Sequence, residues 1–274
     1  MMLFEKISAA KDYIQGKSSL KPSIALILGS GLGGLVNAIE NPISFDYGDI
    51  PHFPQTTALS HVGRLVLGEL AGKTVIAMQG RLHYYEGHSM QNLTLPLRVM
   101  WALGAKTLIV TNAAGGLDPS FKPGDIMLLS DHIDLFGDNP LKGPNDTRLG
   151  PRFSDMSDAY NKSLRQIALE AAHENHIPLQ QGVYVGTSGP CFETSAERRY
   201  MRLIGGNAVG MSTVPEVIVA KHMGMQVLGF SGITNVATGG EDQPPDDAHE
   251  VVEVAGVIGQ RLAPLLHAII TKLA

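Results

Sequence analysis

The sequence predicts an α/β fold, with a largely parallel or mixed central sheet flanked by helices. Two observations carry that prediction. Short β-branched runs alternate with longer stretches of helical periodicity. Apolar run after apolar run also ends in a cluster of glycines, small residues or functional side chains. In open α/β sheets, ligands sit just outside the carboxyl ends of the strands, where such clusters collect.

Strands are expected at Ser23–Leu28, Arg64–Leu67, Thr74–Met78, Thr107–Thr111, Ile126–Leu129, Val183–Gly186, Val209–Met211 and Gln226–Phe230. Helices are expected at Leu3–Ile14, Leu32–Ile39, Met90–Leu103, Asp158–Asn175, Ser195–Ile204, Val214–Met223 and Ala248–Leu273. Pro96 and Pro264 lie inside two of these, where a missing N–H predicts a kink or an earlier end. Thr194-Ser195-Ala196-Glu197 and Thr213-Val214-Pro215-Glu216 both fit the capping box, and Pro215 falls where a lost N–H is harmless. No linker, repeat or low-complexity stretch divides the chain, so residues 1–274 are expected to form a single domain. The segment Phe136–Phe153 is rich in Gly, Pro, Asn and Asp and has no period. A loop of that length in a compact domain is usually functional or a contact surface.

Composition narrows the classes. With 274 residues, 44% of them hydrophobic, the chain can bury a sizeable core. A net charge of -5 and the absence of a lysine-arginine run exclude a nucleic-acid footprint. The one cysteine excludes an internal disulfide and fits a reducing compartment. The first residues lack the order of a signal peptide, and no apolar run approaches the roughly 20 residues of a spanning helix. A soluble cytoplasmic protein without membrane or nucleic-acid partners is expected.

The densest chemistry lies in Gly80-Arg81-Leu82-His83-Tyr84-Tyr85-Glu86-Gly87, just past the run Thr74–Met78. Arginine is the side chain best shaped to clamp a phosphate, and histidine and tyrosine add hydrogen bonds to an anion or a sugar. Taken alone, the segment also fits a solvated loop with a structural Arg–Glu pair. Gly29–Gly34 formally fits G-x-G-x-x-G, but Asp46 and Asp49 stand in a turn-rich context rather than at the end of a second strand. Ser30 among glycines at a helix start suits a single phosphate better than a dinucleotide. Ala113-Ala114-Gly115 has the small side chains that permit close backbone approach. Asp131-His132-Ile133-Asp134 lacks a recognised metal spacing and reads as a structural loop. Cys191, beside Phe192 and without a sequence partner, reads as a buried thiol more readily than as a nucleophile.

The motifs together resemble the trimeric class of purine nucleoside phosphorylases, a family that includes methylthioadenosine phosphorylase. The resemblance runs from about Ser23 to His249. It rests on Gly29-Ser30-Gly31-Leu32-Gly33, on Gly80–Gly87, on Thr111-Asn112-Ala113-Ala114-Gly115-Gly116 and on Gly143-Pro144-Asn145-Asp146. Phe192-Glu193-Thr194, Gly210-Met211-Ser212-Thr213-Val214-Pro215-Glu216 and Ile233-Thr234-Asn235 complete it, in the family's order. It implies a nucleoside-phosphorylase-like domain that cleaves purine nucleosides with inorganic phosphate as co-substrate, without a cofactor or metal, as a homotrimer.

By the same resemblance, Ser30, His61, Arg81, His83, the Ala113 backbone and Ser212 are expected to hold phosphate, with His61 as a gate. Tyr85, Met211 and His249 are expected at the ribose, with Phe153 lent to a neighbouring subunit's sugar site. Ala114, Gly115, Phe192, Glu193, Val209 and Asn235 are expected at the base. Asn235, Glu193, His83 and His249 are the expected catalytic set. The methylthioadenosine branch carries aspartate where this chain has Asn235. Asparagine offers both a donor and an acceptor, so inosine and guanosine, with their deoxy forms, are the expected substrates, within purine salvage. The segment Gly239–Asp247 has the glycine, proline and acidic content of a lid that brings His249 over the ribose.

Overall fold

The computed structural model describes residues 2–58, 61–241 and 243–273. Its sheet contains β1 (Ile24–Leu28), β2 (Glu40–Asp46), β3 (Arg64–Leu70), β4 (Lys73–Gln79), β5 (Thr107–Gly116), β6 (Ile126–Asp134), β7 (Gln180–Gly186), β8 (Ala208–Gly210) and β9 (Gln226–Val236). The order across it is β2-β3-β4-β1-β5-β8-β7-β6-β9. β9 also pairs with β5, so the five strands β5 to β9 close on themselves while β1 to β4 form an open wing. Parallel pairs (β1–β4, β1–β5, β5–β9, β6–β7, β7–β8) mix with antiparallel ones (β2–β3, β3–β4, β5–β8, β6–β9).

The five aliphatic residues of β1 are all buried because helices cover both faces. Alternation divides them. Ala25 and Ile27 join the core beneath α1 (Leu3–Gln15), α2 (Met90–Leu93) and α3 (Leu95–Ala102). Ile24, Leu26 and Leu28 join the core shared with α4 (Lys162–Glu174) and the C-terminal helix. The remaining helices are α5 (Ser195–Leu203), α6 (Val214–His222) and α7 (Ala248–Lys272).

Several expectations are corrected. The stretch expected to be turn-rich before Tyr47 is the edge strand β2, and an edge is where a strand tolerates a proline such as Pro42. The stretch Gly33–Ala38 is a 3₁₀ turn rather than an α-helix, opening with two glycines that favour a helix poorly. The expected helix Met90–Leu103 is two, broken at Thr94, whose hydroxyl donates back to the Met90 carbonyl at 2.8 Å. α4 begins at Lys162, not Asp158. Pro264 does not break α7. By length and composition α7 is apolar enough to cross a membrane, although no uninterrupted apolar run suggested it. Its apolar stripe (Ile258, Leu262, Leu265, Leu266, Ile269) lies on the sheet, and Glu253, Gln260, Arg261 and His267 face outward.

Two strands run further than their apolar cores. β5 continues to Gly116 and β9 to Val236, so Ala113–Gly115 and Asn235 lie within strands rather than beyond them. Their register slips between Ala114 and Gly115, which leaves Thr234 as an extra residue opposite the pair. Thr234 turns inward with its hydroxyl 3.2 Å from the Ala114 carbonyl, and Asn235 is left half-buried. Asp131–Asp134 is likewise part of β6, not a loop, and His132 packs edge-on against Tyr160.

Candidate active site

A cavity of about 380 Å³ opens where β1, β4, β5, β8 and β9 deliver their ends. Its floor is laid by glycines that nothing larger could replace. A Cβ on Gly29 would meet the Thr111 carbonyl at 2.8 Å, so β1 hands over directly to the Ser30 turn against β5. Gly31, at φ +72°, carries that turn under α7, where a Cβ would stand 2.7 Å from the Val252 carbonyl. Gly80 follows β4 at φ +94°, and a Cβ there would come within 2.8 Å of that of His61.

Arg81 emerges from Gly80 as one of the largest fully buried side chains. Its Nε donates to Glu216 Oε1 at 3.0 Å, and its Nη1 to the Thr111 carbonyl at 2.7 Å and to Ser212 Oγ at 3.2 Å. Nη2 is buried, has no partner among the described residues, and belongs to a side chain that lines the cavity. A buried guanidinium donor without an acceptor is expensive, so this atom marks where an anionic oxygen is wanted. The capping box expected between Thr213 and Glu216 does not form: Thr213 makes no side-chain cap and Glu216 turns to Arg81. Thr213 sits at φ +73°, ψ -53°, with the Val214 N–H bonded to the Ser212 carbonyl at 2.8 Å, a strained three-residue turn. Asn112 Nδ2 holds the Thr213 hydroxyl at 2.8 Å, and that hydroxyl lies 3.2 Å from Ser212 Oγ. Ser212 follows β8, which is parallel to β7, so it approaches β5 from the opposite direction. β8 is antiparallel to β5, and its chain runs back alongside Ala113.

His83 lines the same cavity between two rings, His61 at 5.1 Å and Tyr85 at 4.8 Å between centroids. Glu86 fixes it from behind, accepting from the His83 N–H at 2.7 Å with Oε1 3.4 Å from the ring Nδ1. Burial pushes the Glu86 carboxyl up, but hydrogen bonds from His83 and from the Thr57 N–H and hydroxyl outweigh it and hold the group far below the usual range. The same bonds bring Thr57 and Ala58 to the cavity wall, two residues that carry no local sequence signal. His61 stands behind Ser30. Its Nδ1 lies 2.7 Å from the Arg81 carbonyl oxygen and 3.2 Å from the Arg81 backbone nitrogen, and its Nε2 lies 3.2 Å from Ser30 Oγ. Burial, reinforced by the neighbouring His83, lowers its pKa to about 4, so the ring is neutral near pH 7.

The cavity is also lined by Phe192, Glu193, Val209, Ala114, Gly115 and Asn235. Burial raises the Glu193 carboxyl above its ordinary value, and the Thr187 hydroxyl donates to it at 3.3 Å. Asn235 Oδ1 accepts from Thr234 Oγ at 2.9 Å, while its Nδ2 donates to Asp246 Oδ1 at 2.7 Å. Tyr85 and Met211 also line the cavity, and burial raises the Tyr85 phenol to about 12.

Of the residues expected at the site, three stand apart. His61 contacts it through Ser30 and Arg81. His249 is exposed in the first turn of α7, where Ala248, Val251 and Val252 line the cavity instead. Phe153 is 88% exposed on the long loop. Cys191, expected to be buried, is exposed. Asn112, Thr234 and Pro190 lie in or beside clusters that the sequence marks but were not themselves singled out, and Ala248, Val251 and Val252 of α7 reach the cavity through tertiary packing alone.

The phosphorylase superfamily model matches residues 23–271. The chain is 52% identical over 268 residues to purine nucleoside phosphorylase 1 of Geobacillus stearothermophilus, covering 98% of this chain and 97% of the relative. To the rat purine nucleoside phosphorylase it is 48% identical over 265 residues, covering 94% and 92%. Among solved structures, the Schistosoma mansoni purine nucleoside phosphorylase in complex with adenosine superposes with a TM-score of 0.94 at 42% identity, covering 98% of each chain. A Schistosoma mansoni purine nucleoside phosphorylase in complex with inosine gives 0.93 at 40%, covering 98% and 97%. The chain therefore belongs to the phosphorylase superfamily and, within it, to the purine nucleoside phosphorylases.

Proposed function

We propose that this enzyme cleaves 6-oxopurine ribonucleosides and deoxyribonucleosides, inosine and guanosine, with inorganic phosphate, releasing the base and (deoxy)ribose 1-phosphate in purine salvage. The observation that carries the reading is that one cavity is lined both by Arg81, whose Nη2 has no partner among the described residues, and by the Asn235 amide. Phosphate takes Arg81 Nη2, the Ser30 and Ser212 hydroxyls, His83 and the Ala113 backbone. The ribose lies along Tyr85 and Met211. The base stacks near Phe192 and Val209, with Ala114 and Gly115 beneath it.

Phosphorolysis builds positive charge on the sugar and negative charge on the departing purine. Phosphate beneath the ribose meets the first. Asn235, donating to N7 or O6, and Glu193, accepting from N1–H, meet the second. Groups fixed in advance where charge appears lower the barrier without reorganising. Holding both reactants together removes much of the entropic cost. The reading invokes no metal, no cofactor and no covalent intermediate. His249 closes over the ribose when Gly239–Asp247 moves, and Phe153 completes a neighbouring subunit's site in a homotrimer.

The test is inosine cleavage with and without phosphate, with products identified. Formation of hypoxanthine and ribose 1-phosphate only when phosphate is present supports the reading. Cleavage in its absence would mean hydrolysis and overturn the role given to Arg81.

A further inference from the structure

Asp246 does not line the cavity, yet it touches the residue that chooses the base. Its Oδ1 accepts from Asn235 Nδ2 at 2.7 Å. Its Oδ2 is paired with Arg198 Nη2, and Arg198, on α5, is one of the largest fully buried side chains. The Asp246 side chain is itself only 10% exposed. Arg199 of the same helix donates to the Gly239 carbonyl at 2.8 Å, so α5 grips the start and the end of the segment that carries Asp246.

We infer that Asp246, anchored by Arg198, is a positioning residue that sets base selectivity by fixing which way the Asn235 amide points. A carboxylate only accepts hydrogen bonds, whereas a hydroxyl donates or accepts. On the oxygen side of the amide stands the Thr234 hydroxyl, which can serve either orientation by rotating. On the nitrogen side stands Asp246, which cannot. A flipped amide would set its oxygen against the carboxylate, two acceptors facing each other with no proton between them. Asp246 thus supplies the asymmetry that keeps the amide nitrogen on its own side and leaves that nitrogen's second N–H for the purine. A donor at that place suits O6 and N7 of a 6-oxopurine, while a flipped amide would present an acceptor to a 6-amino group. Arg198 holds the carboxylate in place, and Gly239, whose Cβ would meet Arg198 Cβ at 3.0 Å, lets the chain pass close over it. The inference rests on the 6-oxopurine reading for its direction.

The test compares kcat/KM for inosine and adenosine at saturating phosphate in the wild type, Asp246→Asn, Asp246→Ala and Arg198→Met. Asp246→Asn keeps the shape but offers either a donor or an acceptor, so it frees the flip without opening a gap. Both Asp246 variants are expected to lower the inosine-to-adenosine ratio about tenfold, the scale of one hydrogen bond, with the KM for phosphate holding. Arg198→Met should move the ratio the same way. Both nucleosides are measured on one sample, so any loss of folded protein cancels from the ratio. A ratio unchanged within about twofold in both Asp246 variants, or an equal fall on both nucleosides, overturns the role of Asp246. A wild type that cleaves adenosine as readily as inosine overturns the 6-oxopurine reading instead, whatever the variants do.

Discussion

Arg81 and Glu216, 135 positions apart in sequence, form a buried ion pair at 3.0 Å beneath the cavity. Glu216 takes the Nε side of the guanidinium and Thr111 and Ser212 take Nη1, which leaves Nη2 as the edge presented to the proposed phosphate. The pair joins the end of β4 to the first turn of α6, so the proposed anion clamp is also a structural tie.

Removing one partner of a buried pair strands a charge. Glu216→Ala is expected to cost about 3–5 kcal/mol in urea unfolding. Glu216→Gln retains an oxygen for Nε, so it should lose less stability and still raise the KM for phosphate more than the KM for inosine. A Gln variant with both constants unchanged would remove Glu216 from the phosphate site.

Asn235→Asp is expected to raise the adenosine-to-inosine ratio, because an acceptor replaces a donor opposite the purine. The structure adds a condition. The new carboxylate would stand where Nδ2 now lies 2.7 Å from Asp246, and one of two carboxylates sharing a site resists ionisation. Asn235→Asp combined with Asp246→Asn should therefore shift the ratio further than Asn235→Asp alone. If neither variant moves it upward, Asn235 does not read the base.

Glu193→Ala should cut turnover of inosine far more than it weakens phosphate binding, and an equal loss of both would indicate a folding defect. The raised Glu193 carboxyl adds a pH signature. Only the ionised form accepts from N1–H, so kcat/KM for inosine should fall on the acid side above the ordinary carboxylate range. In Glu193→Gln that limb should vanish.

His61 links pH to stability. In the folded protein it titrates at about 4, against an ordinary histidine value of 6.5. Between those values the unfolded chain binds more protons, so stability falls as pH falls through that window and the His61 contribution levels off below it. Each tenfold weakening of proton binding on folding corresponds to about 1.4 kcal/mol. Urea midpoints at about pH 7, 6 and 5 should drop more steeply for the wild type than for His61→Gln, and parallel curves would refute the assignment.

Phe153 offers a subunit test. In a ring of heterologous contacts each site draws on its own chain and on one neighbour. Asn235→Ala and Phe153→Ala should each be nearly inactive alone. After subunit exchange at equal amounts, about a quarter of the sites recover both residues. No recovery, with mixed oligomers verified, would place Phe153 outside the sugar site of the proposed trimer.

The sequence by itself determined the layered α/β fold, because aliphatic runs such as Ile24–Leu28 can only be satisfied by burial on both faces. It also marked most of the cavity, because Ser30, Arg81, His83, Ala113 and Ser212 sit in clusters at or near the ends of such runs. That information is local, carried by periodicity and by turns that demand glycine.

The tertiary structure decided what depends on distant segments. It chose Arg81 over Thr213 as the partner of Glu216, since burial rewards pairing the guanidinium more than capping a helix. It ran β8 back along β5, slipped the β9 register at Thr234, and brought α7 residues and Thr57 to the wall. It also placed Asp246 against Asn235. Motif and period name some of these residues but not their partners, because each pairing is set by which strands pair and which side chains are then brought together.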